Sequence, residues 1–250
     1  LGGGDLGLVF GNPGGGKSWM MVAIAGHAVK MGFNVVYYTL ELGEVYVGKR
    51  FDAYFANESV NQIHLHRKKI ENEINRLEGK LVVKEFSMGK ATIQTLESHI
   101  QKLKDIDISP DLVIIDYIDL LRSPKRSFDR KDEIDDVYVA TKGLARDLNI
   151  PIWSVSQVNR AGAQDDIIQG DKAAGSYDKI MISDFCLSLS RKKEDKVNGT
   201  GRLHVMKNRY GMDGLTYNAK VDTTTGHIDL NDNNEGVDLS PTKTFTQPTK

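Results

Sequence analysis

Residues 6–18 read LGLVFGNPGGGKS, and the stretch from Gly11 to Ser18 decides the fold. An apolar run (Leu6, Leu8, Val9, Phe10) leads into the glycines, and an apolar, helix-like stretch follows. The pattern G-x-x-x-x-G-K-S between a strand and a helix is a P-loop. Backbone N–H groups of Gly14, Gly15, Gly16 and Lys17 can wrap a polyphosphate at the helix N-terminus, where the peptide dipoles favour negative charge. Glycine suits the loop because a side chain would block that approach and because the backbone visits positive φ. Lys17 is expected to reach the β- and γ-phosphates and the Ser18 hydroxyl to ligate Mg2+. Gly11, Asn12, Pro13 and Trp19 complete the expected nucleotide-binding segment. A plain glycine-rich turn is the competing reading, and Lys-Ser directly after the glycines weighs against it.

The chain has 250 residues, 40% hydrophobic and 27% charged, enough for one α/β domain with a sizeable core. Its net charge of −1 carries no global basic signature, so nucleic acid would have to meet a local patch. Cys186, the single cysteine, cannot form an internal disulfide and reads as a small core residue; a cytoplasmic location fits. No run approaches the roughly 18 apolar residues of a membrane span, and no signal peptide is visible, so no membrane partner is expected. The chain opens on Leu1 rather than Met and reads as a piece from which a preceding segment has been removed.

Strands and helices alternate beyond the P-loop, which predicts a mostly parallel sheet covered by helices. Strands are expected at 6–10, 34–40, 80–86, 112–117 and 151–157, and helices at 17–31, 44–57, 60–77, 92–105 and 130–148. LVIIDY (112–117) is a continuous apolar run, as in a strand buried on both faces. Residues 158–178 are polar and Gly/Ala-rich, and read as a functional loop. Strands at about 184–191, 201–209, 215–222 and 226–230 then follow closely, joined by turns at Asn198–Gly199, Gly211–Gly214 and Thr225–Gly226, as an antiparallel extension.

Several polar residues fall where these strands end. Asp116 closes LVIID beside the expected P-loop edge, where ligands of open α/β sheets bind, and can hold Mg2+ directly or through water. Glu41 follows the strand at 34–40 and can position an attacking water as general base. Glu44 better fits a first-turn helix acid. Asp119 reads equally as a second metal contact or as a turn residue. Gln157 ends WSVSQ, where an amide can sense a γ-phosphate. Lys207 and Arg209 alternate in KNRYG, so both project from one strand face. With no acidic partner evident in the sequence, they point either to an anion target or to a solvated edge strand.

The set GNPGGGKS, YYTLELGEVYVGKRFDA, LVIIDYIDLLR, IWSVSQVNR, AAGS and KNRYG resembles the RecA-like ATPase domain of replicative hexameric helicases of the DnaB type. The likeness to those of T-even-like phages is strongest. The resemblance implies an α/β RecA-like P-loop NTPase core, a mostly parallel sheet flanked by helices with an antiparallel C-terminal extension. That domain is expected over 1–230, with a disordered tail over 231–250. It implies ATP and Mg2+ as ligands, Lys17 and Ser18 as the Walker-A pair, Glu41 as the catalytic glutamate and Asp116 as the Walker-B acid. It places Arg50 near the nucleotide and makes Gln157 the link between nucleotide state and DNA. Lys207 and Arg209 match a basic pair that reaches the γ-phosphate of the neighbouring subunit.

The same resemblance implies hydrolysis coupled to 5′ to 3′ movement on single-stranded DNA and duplex unwinding, inside a bacterial host cell if a phage encodes the chain. The implied partners are that strand, further copies of the chain in a homo-hexameric ring, a primase and a helicase loader. Arg160, Lys172, Gly175 and Ser176 become candidate DNA contacts, and 122–131 a second basic candidate. At 172–175 the chain departs from the family's pattern, reading Lys-Ala-Ala-Gly where the family has Arg-Glu-Ser-Gly. Two alternatives stay open: a RecA-type recombinase or ring ATPase without unwinding activity, and a nucleotide-dependent assembly or loader module.

Overall fold

A computed structural model describes residues 1–123, 130–158, 167–168 and 177–231. The candidate DNA residues Arg160, Lys172, Gly175 and Ser176, most of the 122–131 stretch and the expected tail after Asn231 lie outside the described residues.

Among the described residues nine strands form one sheet in the order β3-β2-β4-β5-β1-β6-β7-β8-β9. The strands are β1 (Leu6–Gly11), β2 (Val35–Thr39), β3 (Leu81–Glu85), β4 (Leu112–Asp116), β5 (Ile152–Gln157), β6 (Phe185–Ser190), β7 (Thr200–Asn208), β8 (Thr216–Val221) and β9 (Ile228–Asn231). β1 to β6 pair in parallel, and β7, β8 and β9 add antiparallel strands beyond β6. The helices are α1 (Lys17–Lys30), α2 (Glu44–Ala56), α3 (Arg67–Asn75), α4 (Ile93–Lys104), α5 (Arg130–Leu148), α6 (Tyr177–Ile182) and α7 (Lys193–Asn198).

Because successive strand residues point to opposite faces, each central strand feeds two cores. Val36, Tyr38, Val113 and Ile115 join the side covered by α4 and α5. Val35, Tyr37 and Ile114 join the side covered by α1 and α2. All of β4 is buried, as its unbroken apolar run requires. This alternation sends the Tyr37 hydroxyl toward the P-loop side and the Tyr38 hydroxyl to His99 of α4, at 3.0 Å.

Three local expectations change. The helix expected over 60–77 is a 3-10 turn at Ile63–Leu65 followed by α3, with His66 between them. Residues 177–182, at the end of the expected loop and just past it, form α6, and α7 occupies the connection between β6 and β7. Gly199, at φ 67, ends α7 in the left-handed conformation that glycine adopts without strain. Both helices are six residues long, too short for a 3.6-residue apolar repeat to declare itself.

Candidate active site

β1 runs straight into the P-loop and α1 leaves it. Gly14 and Gly16 take φ of 65° and 97°, and the Gly15 N–H donates to the Asn12 carbonyl at 2.9 Å. The Lys17 ammonium folds back on its own loop, donating to the carbonyls of Gly11 and Asn12, both at 2.9 Å. Burial brings its pKa down to about 8 against the opposing pull of Asp116 and Glu41. The loop thus holds its cation ready for a stronger acceptor than a neutral carbonyl.

Asp116 ends β4 and is buried. Register places Thr39 of β2 opposite it, which brings the hydroxyl of Tyr37 to Oδ2 at 2.8 Å. Its other oxygen, Oδ1, is buried without a hydrogen-bond partner of good geometry. The Ser18 hydroxyl is nonetheless close enough to favour the ionised carboxylate, as are the Arg50 and Lys17 charges. Burial outweighs them and raises the Asp116 pKa. A buried carboxylate oxygen in want of a partner beside a hydroxyl is a fitting pair of hard oxygen donors for Mg2+. Among the described residues no cluster of three His, Cys, Asp or Glu could cage a metal unaided. An ion held by one carboxylate, one hydroxyl, water and phosphate is the mode that suits Mg2+.

Gly14, Gly15 and Gly16 of the P-loop, Lys17, Ser18 and Asp116 border one cleft of about 410 Å³ that also takes in Glu41, Arg50, Trp19 and Gln157. Gln157 stands opposite Gly11 in the β1–β5 register, and its side chain is exposed to the cleft. Glu41, exposed just past β2, faces the same space. The Arg50 guanidinium lies 4.7 Å from the Trp19 ring centroid, which joins α2 to α1 over the cleft. Glu41, Asp116, Gln157 and Gly11 follow or end β2, β4, β5 and β1, four contiguous strands, at their carboxyl ends.

Sequence reasoning missed Tyr37, Arg191 and Lys196. β6 is parallel to β1, so the residues after β6 reach the P-loop edge. Arg191 and Lys196 line the cleft there, within the same subunit. A Cβ on Gly14 would stand 3.6 Å from Lys196 Nζ, and one on Gly16 3.5 Å from Arg191 Nη1. The cationic run RKKEDK directly after a strand is the signal that could have found them.

Asp119 is engaged as a structural anion. Lys179 Nζ donates to its Oδ1 at 2.6 Å and to Ser156 Oγ at 3.0 Å, with the Tyr138 ring 4.9 Å away. This fixes α6 to β5 beside Gln157.

Lys207 and Arg209 lie at the opposite end of the sheet. β7 pairs Asn208 with Phe185, and Phe185 pairs with Gly7 of β1. Gly7 lies four residues before Gly11, so the P-loop begins roughly 13 Å farther along β1, at about 3.3 Å per residue. The expectation that the pair has no acidic partner is corrected. Arg209 Nη1 donates to Asp184 Oδ1 at 2.6 Å, and Lys207 Nζ donates to the carbonyls of Ile180, Met181 and Ser183 at 2.8, 3.0 and 2.6 Å. Asp184 precedes Phe185 by one residue, but 25 residues separate it from Arg209, so only strand pairing reveals the partner.

Residues 1–217 match the family described as DnaB-like helicase C terminal domain. The chain belongs to that family. The DnaB-like domain is 23% identical over 208 residues to the DnaB-like replicative helicase of Enterobacteria phage T4, covering 78% of this chain and 44% of that protein. It is 27% identical over 171 residues to the replicative DNA helicase DnaB of Geobacillus stearothermophilus, covering 64% of this chain and 37% of that protein. The chain thus spans less than half the length of these relatives. Its fold is shared with a DnaB-like replicative helicase solved for its interactions with primase, at a TM-score of 0.77 and 19% identity over 91% of this chain and 57% of that one. It is also shared with a separately solved ATPase domain, at a TM-score of 0.76 and 19% identity over 91% of this chain and 85% of that one. The architecture is RecA-like, with antiparallel C-terminal strands. Among the described residues no helix is long and apolar enough to cross a membrane.

Proposed function

We propose that this DnaB-like domain is the ATP-hydrolysing motor of a hexameric replicative helicase that moves 5′ to 3′ on single-stranded DNA. The observation that carries the reading is the meeting of Lys17, Glu41, Asp116 and Gln157 in one cleft at the carboxyl ends of four contiguous strands. The P-loop N–H groups and Lys17 grip the triphosphate, and Trp19 and Arg50 border it. Ser18 and Asp116 would hold Mg2+, which supplies charge neutralisation of the phosphates. Glu41 orients the attacking water and takes its proton. Gln157 reports the γ-phosphate to the segment that follows β5.

Arg209 and Lys207 lie too far from their own P-loop to serve it, which supports action on a neighbouring copy. An arginine finger supplied in trans makes hydrolysis depend on ring assembly. Arg160, Lys172, Gly175 and Ser176 contact the strand in the channel, through phosphate contacts that carry no sequence preference. A primase and a loader are the protein partners, and the ring works in the cytoplasm, that of a bacterial host cell if a phage encodes the chain.

The test is ATP turnover and strand displacement by the full-length protein on forked DNA with either a 5′ or a 3′ single-stranded tail. Turnover stimulated by single strands, with displacement from the 5′-tailed fork, is the expected result. Stimulated turnover without displacement would favour a recombinase or other ring ATPase. Turnover indifferent to DNA would favour an assembly module.

A further inference from the structure

Lys207 and Arg209 are not equivalent. A lysine ammonium has three N–H donors, and Lys207 gives them to three backbone carbonyls around the α6–β6 junction. An arginine has five donors in a rigid fork. Arg209 uses one Nη1 bond, to Asp184, and no other side-chain partner of it is found among the described residues. Its side chain is 54% exposed while that of Asp184 is 0% exposed. One edge of the guanidinium is therefore pinned inward, and the remaining donors face outward.

Asp184 is itself held from three directions. Its Oδ2 accepts from the Leu6 N–H at 2.8 Å and from the Lys142 ammonium, which also donates to the Gly4 carbonyl at 2.6 Å. The Asp184 carbonyl accepts the Arg209 N–H at 3.0 Å, so side chain and backbone of Arg209 are fixed to one residue. Next to it, the Tyr210 hydroxyl donates to Asp5 Oδ1 at 2.6 Å. Burial alone would raise the Asp184 pKa; the bonds from Lys142, Leu6 and Arg209 outweigh it and keep the carboxylate ionised. The anchor is thus tied to the first residue of β1, the strand that carries the P-loop at its other end.

We infer that Asp184 is the positioning residue that aims the outward edge of the Arg209 guanidinium at the nucleotide phosphates of a neighbouring copy. This rests on the reading that Arg209 acts in trans. A long exposed side chain released from Asp184 would spread over many rotamers, and its donors would seldom meet the developing phosphate charge. The loss falls on kcat in the neighbour's site and leaves nucleotide binding there intact.

Subunit mixing of the full-length protein tests both steps. Lys17→Ala subunits, whose own site is dead, are mixed with Arg209→Ala subunits, whose site is intact. Restored ATP turnover is expected, because Arg209 of the first kind completes the site of the second. Asp184→Asn is then added to one kind at a time. Restoration should fall about tenfold, with KM unchanged, when it sits on the Lys17→Ala donor, and persist when it sits on the Arg209→Ala acceptor. Asp184→Glu, which keeps the charge but moves it by one methylene, should show the same donor-only loss if the asparagine variant folds poorly. No restoration in the parent mixture would overturn the trans reading and this inference with it. Restoration in that mixture, followed by equal loss or no loss from either placement, would overturn the inference alone.

Discussion

The Tyr37 hydroxyl donates to Asp116 Oδ2 at 2.8 Å, while Asp116 Oδ1 stays buried without a well-formed hydrogen bond. One oxygen is spent on the sheet, and the Ser18 hydroxyl lies close to the carboxylate. Tyr37→Phe would orphan both oxygens. Removing a bond that favours the ionised form raises the Asp116 pKa further. More Mg2+ should then be needed for half-maximal turnover, and the acid limb of the pH profile should move upward. The unsatisfied carboxylate should also cost about 1–3 kcal/mol of stability. A Mg2+ titration of ATP turnover in the variant checks the first point; an unchanged curve would remove Asp116 from metal binding.

Glu41→Gln keeps the shape of the cleft and removes the carboxylate proposed as the base. ATP and ADP should bind as before, while turnover drops by roughly 10²–10⁴-fold, the usual worth of a general base. Fluorescent-nucleotide titration beside a turnover assay separates the two, and turnover near the wild-type rate would dismiss Glu41 from that role.

Lys17 gives opposite pH signs for binding and for folding. Its pKa of about 8 lies below its ordinary 10.5, so between these values the unfolded chain holds the extra proton. The contribution of Lys17 to stability therefore rises with pH across that window. Phosphate requires the ammonium, so ADP affinity should fall as pH climbs through about 8. Calorimetric titrations across this range, repeated with Lys17→Met, should show the slope in the parent and its loss in the variant.

Gly26→Ala probes the fit of α1 against α2. A Cβ at Gly26 would stand 2.5 Å from the Tyr54 ring. That ring is stacked on His227 at 4.6 Å and covered by Lys30 at 4.6 Å, so it cannot swing aside freely. Overpacking of this kind costs about 1–3 kcal/mol, against roughly 1 kcal/mol gained in helix propensity. The melting temperature should fall by a few degrees. A rise in thermal melting would show that α1 and α2 are loosely packed.

Cys186 lies fully buried, and burial pushes its thiol up to about 11. A thiol reagent at neutral pH should react only on unfolding, which makes labelling a reporter of global opening. Rapid labelling of the native protein would place the β6 core within reach of solvent.

Much of the cleft was legible because its parts are local. The P-loop needs Gly14 and Gly16 at positive φ and Lys17 at the first helical position, and all of this sits within eight consecutive residues. LVIID announced a doubly buried strand and put Asp116 at its end. Glu41 and Gln157 followed the same logic of strand ends. α6 and α7 escaped because six residues are too few for periodicity, and α3 began late because His66 interrupts the run after a 3-10 turn.

By itself, then, the sequence determined the phosphate grip, the carboxylates around it and the parallel α/β scaffold, since each follows from residues near in the chain. Tertiary structure alone decided who meets whom across strands. The β2–β4 register brought Tyr37 to Asp116. The parallel placement of β6 beside β1 brought Arg191 and Lys196 to the P-loop. The antiparallel turn into β7 carried Arg209 to Asp184, at the far end of the sheet. Pairing direction and register are properties of the assembled sheet, fixed by which faces must be buried, and no short stretch of residues encodes them.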